Sequence, residues 1–251
     1  MSTQRFFLPD DCFQPDRVIF PAAVQNQLSR VLRLREGEEV IALDGRGIQY
    51  RLRLEKNPQE LFKGIILSKE KNPAEPAVRL TLYISLTQRE KFELILQKGT
   101  EAGVAAFQPF ISSRSLIQCA DSFGKKRERW ESILREAAEQ CGRGRVPQLL
   151  PPLNLAKAVE AEATRHVLNL AAWEDERQVS LGSALAGFDG KGTIRLFVEP
   201  EGGFDASETG QMRAAGVRVF SLGRRILRME TAAVLAPALV LYQLGEMDPR
   251  D

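Results

Sequence analysis

Two glycine-bearing segments in the C-terminal third carry residue types suited to holding a ligand. In the first, the apolar run Ile194-Arg195-Leu196-Phe197-Val198 leads into Glu199-Pro200-Glu201-Gly202-Gly203-Phe204, and Asp205 and Glu208 follow at the spacing of a helix capping box. In the second, Val217-Arg218-Val219-Phe220-Ser221 leads into Leu222-Gly223-Arg224-Arg225-Ile226-Leu227-Arg228, and a helix is expected from about Glu230 to Leu239. Adjacent glycines let a backbone approach a ligand closely, and open α/β sheets bind ligands outside the carboxyl ends of their strands. Both loops are expected at such ends. Neither fits G-x-G-x-x-G or G-x-x-x-x-G-K-[ST], so the dinucleotide and phosphate-loop signatures fail on spacing. A Gly-Gly pair serves equally as a plain turn, and spacing alone leaves both readings open.

A third group lies mid-chain. Helical geometry puts Glu136, Gln140 and Arg143 at i, i+4 and i+7, largely off the apolar stripe of Trp130, Ile133 and Ala137. The row ends at Arg143-Gly144-Arg145, and it is either a solvated face or the lip of a pocket that meets phosphates. Other basic groups are Arg30, Arg33 and Arg35, residues 125–129, and Arg224, Arg225 and Arg228. Glu128 dilutes the second of these, which reads as a solvated face. The chain holds 35 Lys+Arg against 33 Asp+Glu, a formal charge of +2, and residues 1–76 hold 12 against 11. No domain is basic as a whole, so any RNA footprint must be a local arrangement of arginines.

The single histidine, His166, opens the apolar run Val167-Leu168-Asn169-Leu170 and reads as a structural residue at a strand edge. A zinc site built on several histidines is excluded, and no metal is expected. Cys12, Cys119 and Cys141 form no C-x-x-C pair, which suits reduced thiols. No apolar run reaches the ~18–20 residues of a bilayer span, and residues 1–5 lack the apolar core of a signal peptide. The expected location is the cytoplasm.

The elements that position these residues divide at Lys71-Asn72-Pro73-Ala74-Glu75-Pro76, a polar, proline-interrupted stretch that reads as a linker. Before it, Ile48, Tyr50, Leu52 and Leu54 alternate with polar residues after the turn Gly45-Arg46-Gly47. With four further strands, at residues 5–8, 18–20, 39–44 and 61–67, and one short helix through Val24, Leu28, Val31 and Leu32, this predicts a small antiparallel barrel over residues 1–72. Over residues 73–251, strands and helices alternate. The helix carrying Phe92, Ile95, Leu96, Gly99 and Ala102 stops at Gly103, and the one capped by Asp121 stops at Gly142. The second domain is expected to be α/β with a mostly parallel sheet.

Four stretches, in this order and spacing, resemble the RsmE family. They are residues 92–104, with Gln97-Lys98-Gly99-Thr100-Glu101-Ala102-Gly103-Val104; Glu136-Ala137-Ala138-Glu139-Gln140-Cys141-Gly142-Arg143; Glu199-Pro200-Glu201-Gly202-Gly203-Phe204; and residues 222–232, with Leu222-Gly223-Arg224-Arg225-Ile226-Leu227-Arg228-Met229-Glu230. The family belongs to the SPOUT superfamily and methylates N3 of a uridine in 16S ribosomal RNA. The resemblance implies a trefoil-knotted α/β methyltransferase domain behind a PUA-like RNA-binding barrel, with S-adenosylmethionine as methyl donor and a homodimer as the working form. By motif position, Glu199, Pro200, Glu201, Gly202 and Gly203, with Leu222, Gly223, Ile226, Leu227 and Leu170, would cradle the cofactor. Glu199 stands where the family usually has glycine, and Met229 where threonine is common.

The chemistry that the resemblance implies starts from a uracil N3 that carries a proton. Its nucleophilic form is an anion with charge on both carbonyl oxygens, so the site needs cationic or N–H donors and an acceptor for the proton. Arg228 and Arg143, with Arg114, suit the first task, since arginine stays charged and its fork fits uracil and phosphate alike. Glu230 or Glu199 suits the second. The 16S RNA or small-subunit substrate would meet Arg5, Arg30, Arg33, Arg46 and Arg51 on the barrel, and Arg114, Gln140 and Arg145 near the target base. Two other functions compete: an RNA-binding or ribosome-assembly factor of this fold with altered catalysis, and a SPOUT methyltransferase acting on another RNA.

Overall fold

The computed structural model describes residues 3–59, 61–119, 121–160 and 166–249, with only the backbone of residues 121 and 122. The cap expected from the Asp121 side chain lies outside the described residues. The chain forms two compact units, Met1–Glu75 with Ala138–Val146, and Pro76–Ala137 with Pro147–Asp251. The sequence suggests one cut after residue 72, whereas Ala138–Val146 clusters with the first unit. Its attachments explain this. The Phe7 N–H donates to Glu139 Oε1 at 2.9 Å, the Asn72 side chain donates to the Gly142 carbonyl at 3.0 Å, and Ala138 and Val146 pack on Phe7, Ile41 and Leu43. Contacts between residues so distant in sequence leave no local pattern.

The first unit holds β1 (Arg5–Phe7), β2 (Arg17–Ile19), α1 (Ala22–Asn26), β3 (Glu39–Leu43), β4 (Ile48–Lys56) and β5 (Phe62–Lys71), in one five-stranded sheet of order β1-β3-β4-β5-β2. Leu52 and Leu54 are buried between exposed Arg51 and Arg53, the alternation of a strand with one face on a core. One pairing corrects the antiparallel expectation: β1 runs parallel to β3, with Arg5 opposite Ile41. The chain between them carries β2 and α1, a crossover long enough to bring it back in the same direction. The single short helix is also corrected. It is α1 followed by a π-turn over Gln27–Val31, after which Arg33 takes a left-handed φ of +53°. The wider turn keeps Leu28 in the core and leaves Val31 exposed.

The second unit holds β6 (Arg79–Ser85), α2 (Arg89–Glu101), β7 (Ala106–Ile111), α3 (Asp121–Cys141, whose last turn belongs to the first unit), β8 (Gln148–Leu149), β9 (Leu153–Asn154), α4 (Leu155–Val159), β10 (Val167–Ala172), α5 (Leu181–Leu185), β11 (Thr193–Val198), α6 (Ala206–Ala214), β12 (Arg218–Phe220) and α7 (Met229–Gln243). Seven strands make one sheet of order β12-β10-β11-β6-β7-β8, with β9 beside β7, and every pairing is parallel. Its central strands are buried along nearly their whole length, as a sheet covered on both faces demands. The capping box at α6 is present: Asp205 accepts the Glu208 N–H at 2.8 Å and Glu208 accepts the Asp205 N–H at 3.0 Å. The short elements β8, β9, α4 and α5 fall below what periodicity resolves. Because the strands are parallel, the segments that follow β6, β10, β11 and β12 leave the sheet at one edge.

Candidate active site

At that edge Val198 hands the chain to Glu199, Phe220 to the 221–228 loop, Ala172 to Trp173 and Glu174, and Ser85 to Thr87 and the first turn of α2. These segments surround a cavity of about 330 Å³, whose walls include Lys91, Glu174, Glu199, Glu201, Arg228 and Glu230. A narrower recess of about 20 Å³ adjoins it, sharing Glu174, Glu199 and Leu227 and reaching Ala172, Leu222 and Gly223. The recess adds the apolar Ala172, Leu222 and Leu227 to the charged rim shared with the cavity.

The two glycines of the 202–203 pair serve different needs. Gly203 has a φ of +73° and closes a turn in which its N–H donates to the Pro200 carbonyl at 2.9 Å. Gly202 has no room for a side chain: a Cβ there would lie 2.9 Å from both the Cβ and the carbonyl oxygen of Arg114. Arg114 in turn reaches the Gly202 carbonyl with Nη1 at 3.4 Å. The loop after β7 is tied to α6 as well, for the Ser113 N–H donates to Glu208 Oε1 at 3.0 Å.

Glu199 is held at one oxygen and left alone at the other. Oε1 accepts the Glu174 N–H at 3.1 Å, whereas Oε2 is buried without a hydrogen-bond partner. Burial is the main cause that pushes its carboxyl up to about 7; the charges of Glu174 and Asp175 add to this, and backbone N–H donors from Phe204 and Glu174 partly offset it. Glu230, in the first turn of α7, likewise has a buried Oε2 without a hydrogen bond, 3.4 Å from Lys91 Nζ. Lys91 also lies 3.8 Å from Glu201 Oε1, an oxygen that accepts the Thr87 hydroxyl. A buried polar atom without a hydrogen bond is costly, and two such carboxylate oxygens around one cavity, one of them ion-paired to Lys91, mark a surface shaped for a ligand that brings hydrogen-bond donors or positive charge.

Residues 74–241 match the family model described as an RNA methyltransferase domain, and residues 28–66 match an RNA methyltransferase PUA domain. The chain is 34% identical to the ribosomal RNA small subunit methyltransferase E of Synechocystis, over 92% of this chain and 73% of that protein. It is 30% identical to the protein of that name from Bacillus subtilis, over 87% of each. The chain belongs to the RsmE family. Among solved structures, that of the Neisseria gonorrhoeae ribosomal RNA small subunit methyltransferase E bound to S-adenosyl methionine superposes with a TM-score of 0.83 at 32% identity, covering 96% of this chain and 98% of that one.

In this RsmE family member the site residues expected from the sequence fall in four places. Glu199, Pro200, Glu201, Gly203, Ile226, Leu227, Arg228 and Glu230 border the larger cavity, and Leu222 and Gly223 border the recess. Gly202 and Arg114 stand behind that wall. Leu170 is fully buried within β10 and borders neither space. The remainder lie in the first unit. Arg30, Arg33, Gln140 and Arg145 are exposed, and Arg5 stacks against Gly142. Arg143 is 3% exposed, and its guanidinium meets Glu75 Oε2 at 3.1 Å. That setting gives it a structural partner and removes it from solvent. Arg145 shares the arrangement through its N–H to Glu75 Oε1 at 2.9 Å.

Two residues on the cavity wall, Lys91 and Glu174, and Thr87, which donates to Glu201 behind it, escape a reading by motif. Lys91 left one trace, because a cation in the first turn of a helix opposes the helix dipole. Thr87 and Glu174 follow the carboxyl ends of strands, a position that singles out many polar residues in any α/β protein.

Proposed function

We propose that this chain methylates N3 of a uridine in the 16S RNA of the small ribosomal subunit, using S-adenosylmethionine, as a cytoplasmic homodimer with the trefoil-knotted topology of its family. The observation that carries the reading is the buried, unpartnered Oε2 of Glu199 between a charged cavity and an apolar recess, at the edge where parallel sheets bind ligands. The residues fit the cofactor. Leu222, Leu227 and Ala172 offer an apolar wall to a flat base, and Glu199 offers an acceptor to hydroxyl or ammonium groups.

When bound, S-adenosylmethionine supplies a methyl group on a positively charged sulfur. The protein's own contribution is alignment and charge. Holding the attacking atom in line within a walled cavity can account for ~7–11 kcal/mol of barrier lowering. Arg228, the residue before α7, presents a permanent cation for the oxygens of the uracil anion, and Glu230 Oε2, which has no hydrogen bond and is ion-paired with Lys91, is the acceptor for the N3 proton. The second copy is supported by α7, where Leu235, Leu239 and Tyr242 stand exposed at i, i+4 and i+7. RNA contact is supported by the exposed Arg30 and Arg33.

The test is methylation of small subunits from a strain lacking the gene, with the modified base mapped. Wild-type protein is expected to add one methyl group at a uridine N3, and Arg228→Ala to lose at least ~100-fold in rate with folding intact. Methylation at another atom, or an Arg228→Ala protein of full activity, would overturn the respective assignment. RNA binding without any methyl transfer would favour the assembly-factor reading.

A further inference from the structure

We propose that Lys91 is a catalytic residue of this site: its ammonium, suspended between Glu201 and Glu230, contacts a carbonyl oxygen of the target uracil and stabilises the anion formed when N3 loses its proton. The inference rests on the uridine-N3 reading above and adds a residue and a role to it.

Geometry makes Lys91 available. Its Nζ lies 3.8 Å from Glu201 Oε1 and 3.4 Å from Glu230 Oε2, close enough to be held by charge, yet neither contact is a hydrogen bond. Held by charge rather than by a fixed hydrogen bond, the ammonium can turn an N–H toward a ligand. The side chain is 32% exposed and borders the same cavity as Arg228 and Glu230. Glu201 is the fixed side of the clamp, since it also takes the hydroxyl of buried Thr87. The position has a local cost: Lys91 is the third residue of α2, where the helix dipole disfavours a cation by ~0.3–1 kcal/mol. Local rules are broken most often where function requires it.

The chemistry explains the need for a second cation. The N3–H proton passes to the Glu230 carboxylate, and the N–H electron pair stays on the ring, shared with both carbonyl oxygens. N3 then forms the bond to the methyl carbon as the carbon–sulfur pair returns to sulfur, which becomes a neutral thioether. Negative charge thus appears on two oxygens on opposite sides of N3 and is discharged in the transfer. Arg228 can meet one oxygen. Lys91, beside the proton acceptor, meets the other, and a preorganised donor of this kind is worth ~10²–10³ in rate.

The experiment compares single-turnover methylation of small subunits reconstituted with uridine or with 5-fluorouridine, whose N3–H is more acidic because fluorine withdraws electron density. Lys91→Met is expected to slow the uridine substrate ~100-fold or more. The fluorinated substrate should be slowed several-fold less, and Lys91→Arg should restore part of the rate. Calorimetric S-adenosylmethionine binding and the melting temperature, measured alongside, should stay near wild type. A purely structural role would slow both substrates equally. Equal slowing, or none, overturns the proposal while leaving the methyltransferase reading intact. A wild-type protein that leaves uridine N3 unmethylated overturns both. If Lys91→Met melts below the assay temperature, Lys91→Gln carries the same comparison.

Discussion

Glu199 draws the backbone N–H of Glu174 into one carboxylate oxygen at 3.1 Å and leaves its other oxygen buried and unpaired, so two acidic residues meet at the seam between cavity and recess. A family glycine cannot do this. Burial and the Glu174 charge favour the protonated acid and push Glu199 up to about 7 from 4.5. The sign follows. A carboxyl raised in the folded state adds stability that is fully present below the unfolded value, near 4.5, and is lost as pH rises through about 7. Glu199→Gln keeps the neutral form at every pH. Its stability relative to wild type should therefore climb between pH 4.5 and 7, by roughly 3 kcal/mol at the most. Urea melts of both proteins across that range check this, and parallel curves would refute it. Cofactor binding carries the same signature. A ligand that donates to Oε2 favours the carboxylate, so binding near pH 6.5 should release protons from wild type and fewer from Glu199→Gln. Calorimetry in buffers of differing ionisation enthalpy reads the difference.

The neighbouring glycines should fail in distinguishable ways. Alanine at Gly203 meets only ordinary contacts, 3.6 Å from Glu174 Oε1 and 3.7 Å from Glu199 Oε2, so its cost is the left-handed φ of +73°, about 1 kcal/mol. Alanine at Gly202 must displace the Arg114 backbone, whose carbonyl oxygen lies 2.9 Å from the new Cβ. Gly203→Ala should lower the melting temperature modestly and keep most cofactor affinity. Gly202→Ala should weaken cofactor binding at least ~10-fold, since backbone movement at a binding loop is felt steeply. The reverse ranking in calorimetric titrations would show that the loop tolerates the shift.

How far the sequence carries depends on range. The parallel strands, α2 and the capping box at Asp205 follow from periodicity and caps that act within a few residues. The loops at 199–203 and 222–228 were legible because glycine and strand ends mark them locally. Arg143 shows where that stops: its place in a motif suggested chemistry, and its ion pair with Glu75, far along the chain, has no local signal. Lys91 fails in the opposite direction, for it is one lysine in a charged helix until α2, α7 and the 201 loop meet around one cavity.

That contact yields a stability prediction. With side chains 4% and 16% exposed, Arg143 and Glu75 form a largely shielded pair, and removing one partner takes an ion-pair contact from the other, at a cost of up to ~3–5 kcal/mol. Arg143→Ala and Glu75→Ala should each destabilise the first unit strongly, and the double variant by much less than the sum. Thermal melts complete the cycle. Additive losses would mean that the two side chains act independently.

The C-terminal helix bears on assembly. Between its first turn and Gln243, α7 is apolar on all sides, with Ala233, Ala236 and Val240 buried in the second unit while Leu235 and Leu239 are 42% and 43% exposed and Tyr242 is 65% exposed. A helix apolar all round belongs in an interior, and one chain supplies only half of one. A second copy laying its own α7 on the same stripe covers both at once, in the self-complementary way of a two-fold dimer. Ile226, 79% exposed on the cavity wall, gains a neighbour in the same event if the interface extends to the loop before α7. Leu239→Glu should therefore convert a dimer into a monomer in light scattering at micromolar concentration. It should also lower methylation at least ~10-fold, as expected where the cavity is completed by the partner. A wild-type monomer of full activity would overturn the dimer, whereas a monomeric Leu239→Glu protein of full activity would keep the dimer and give each chain a complete site.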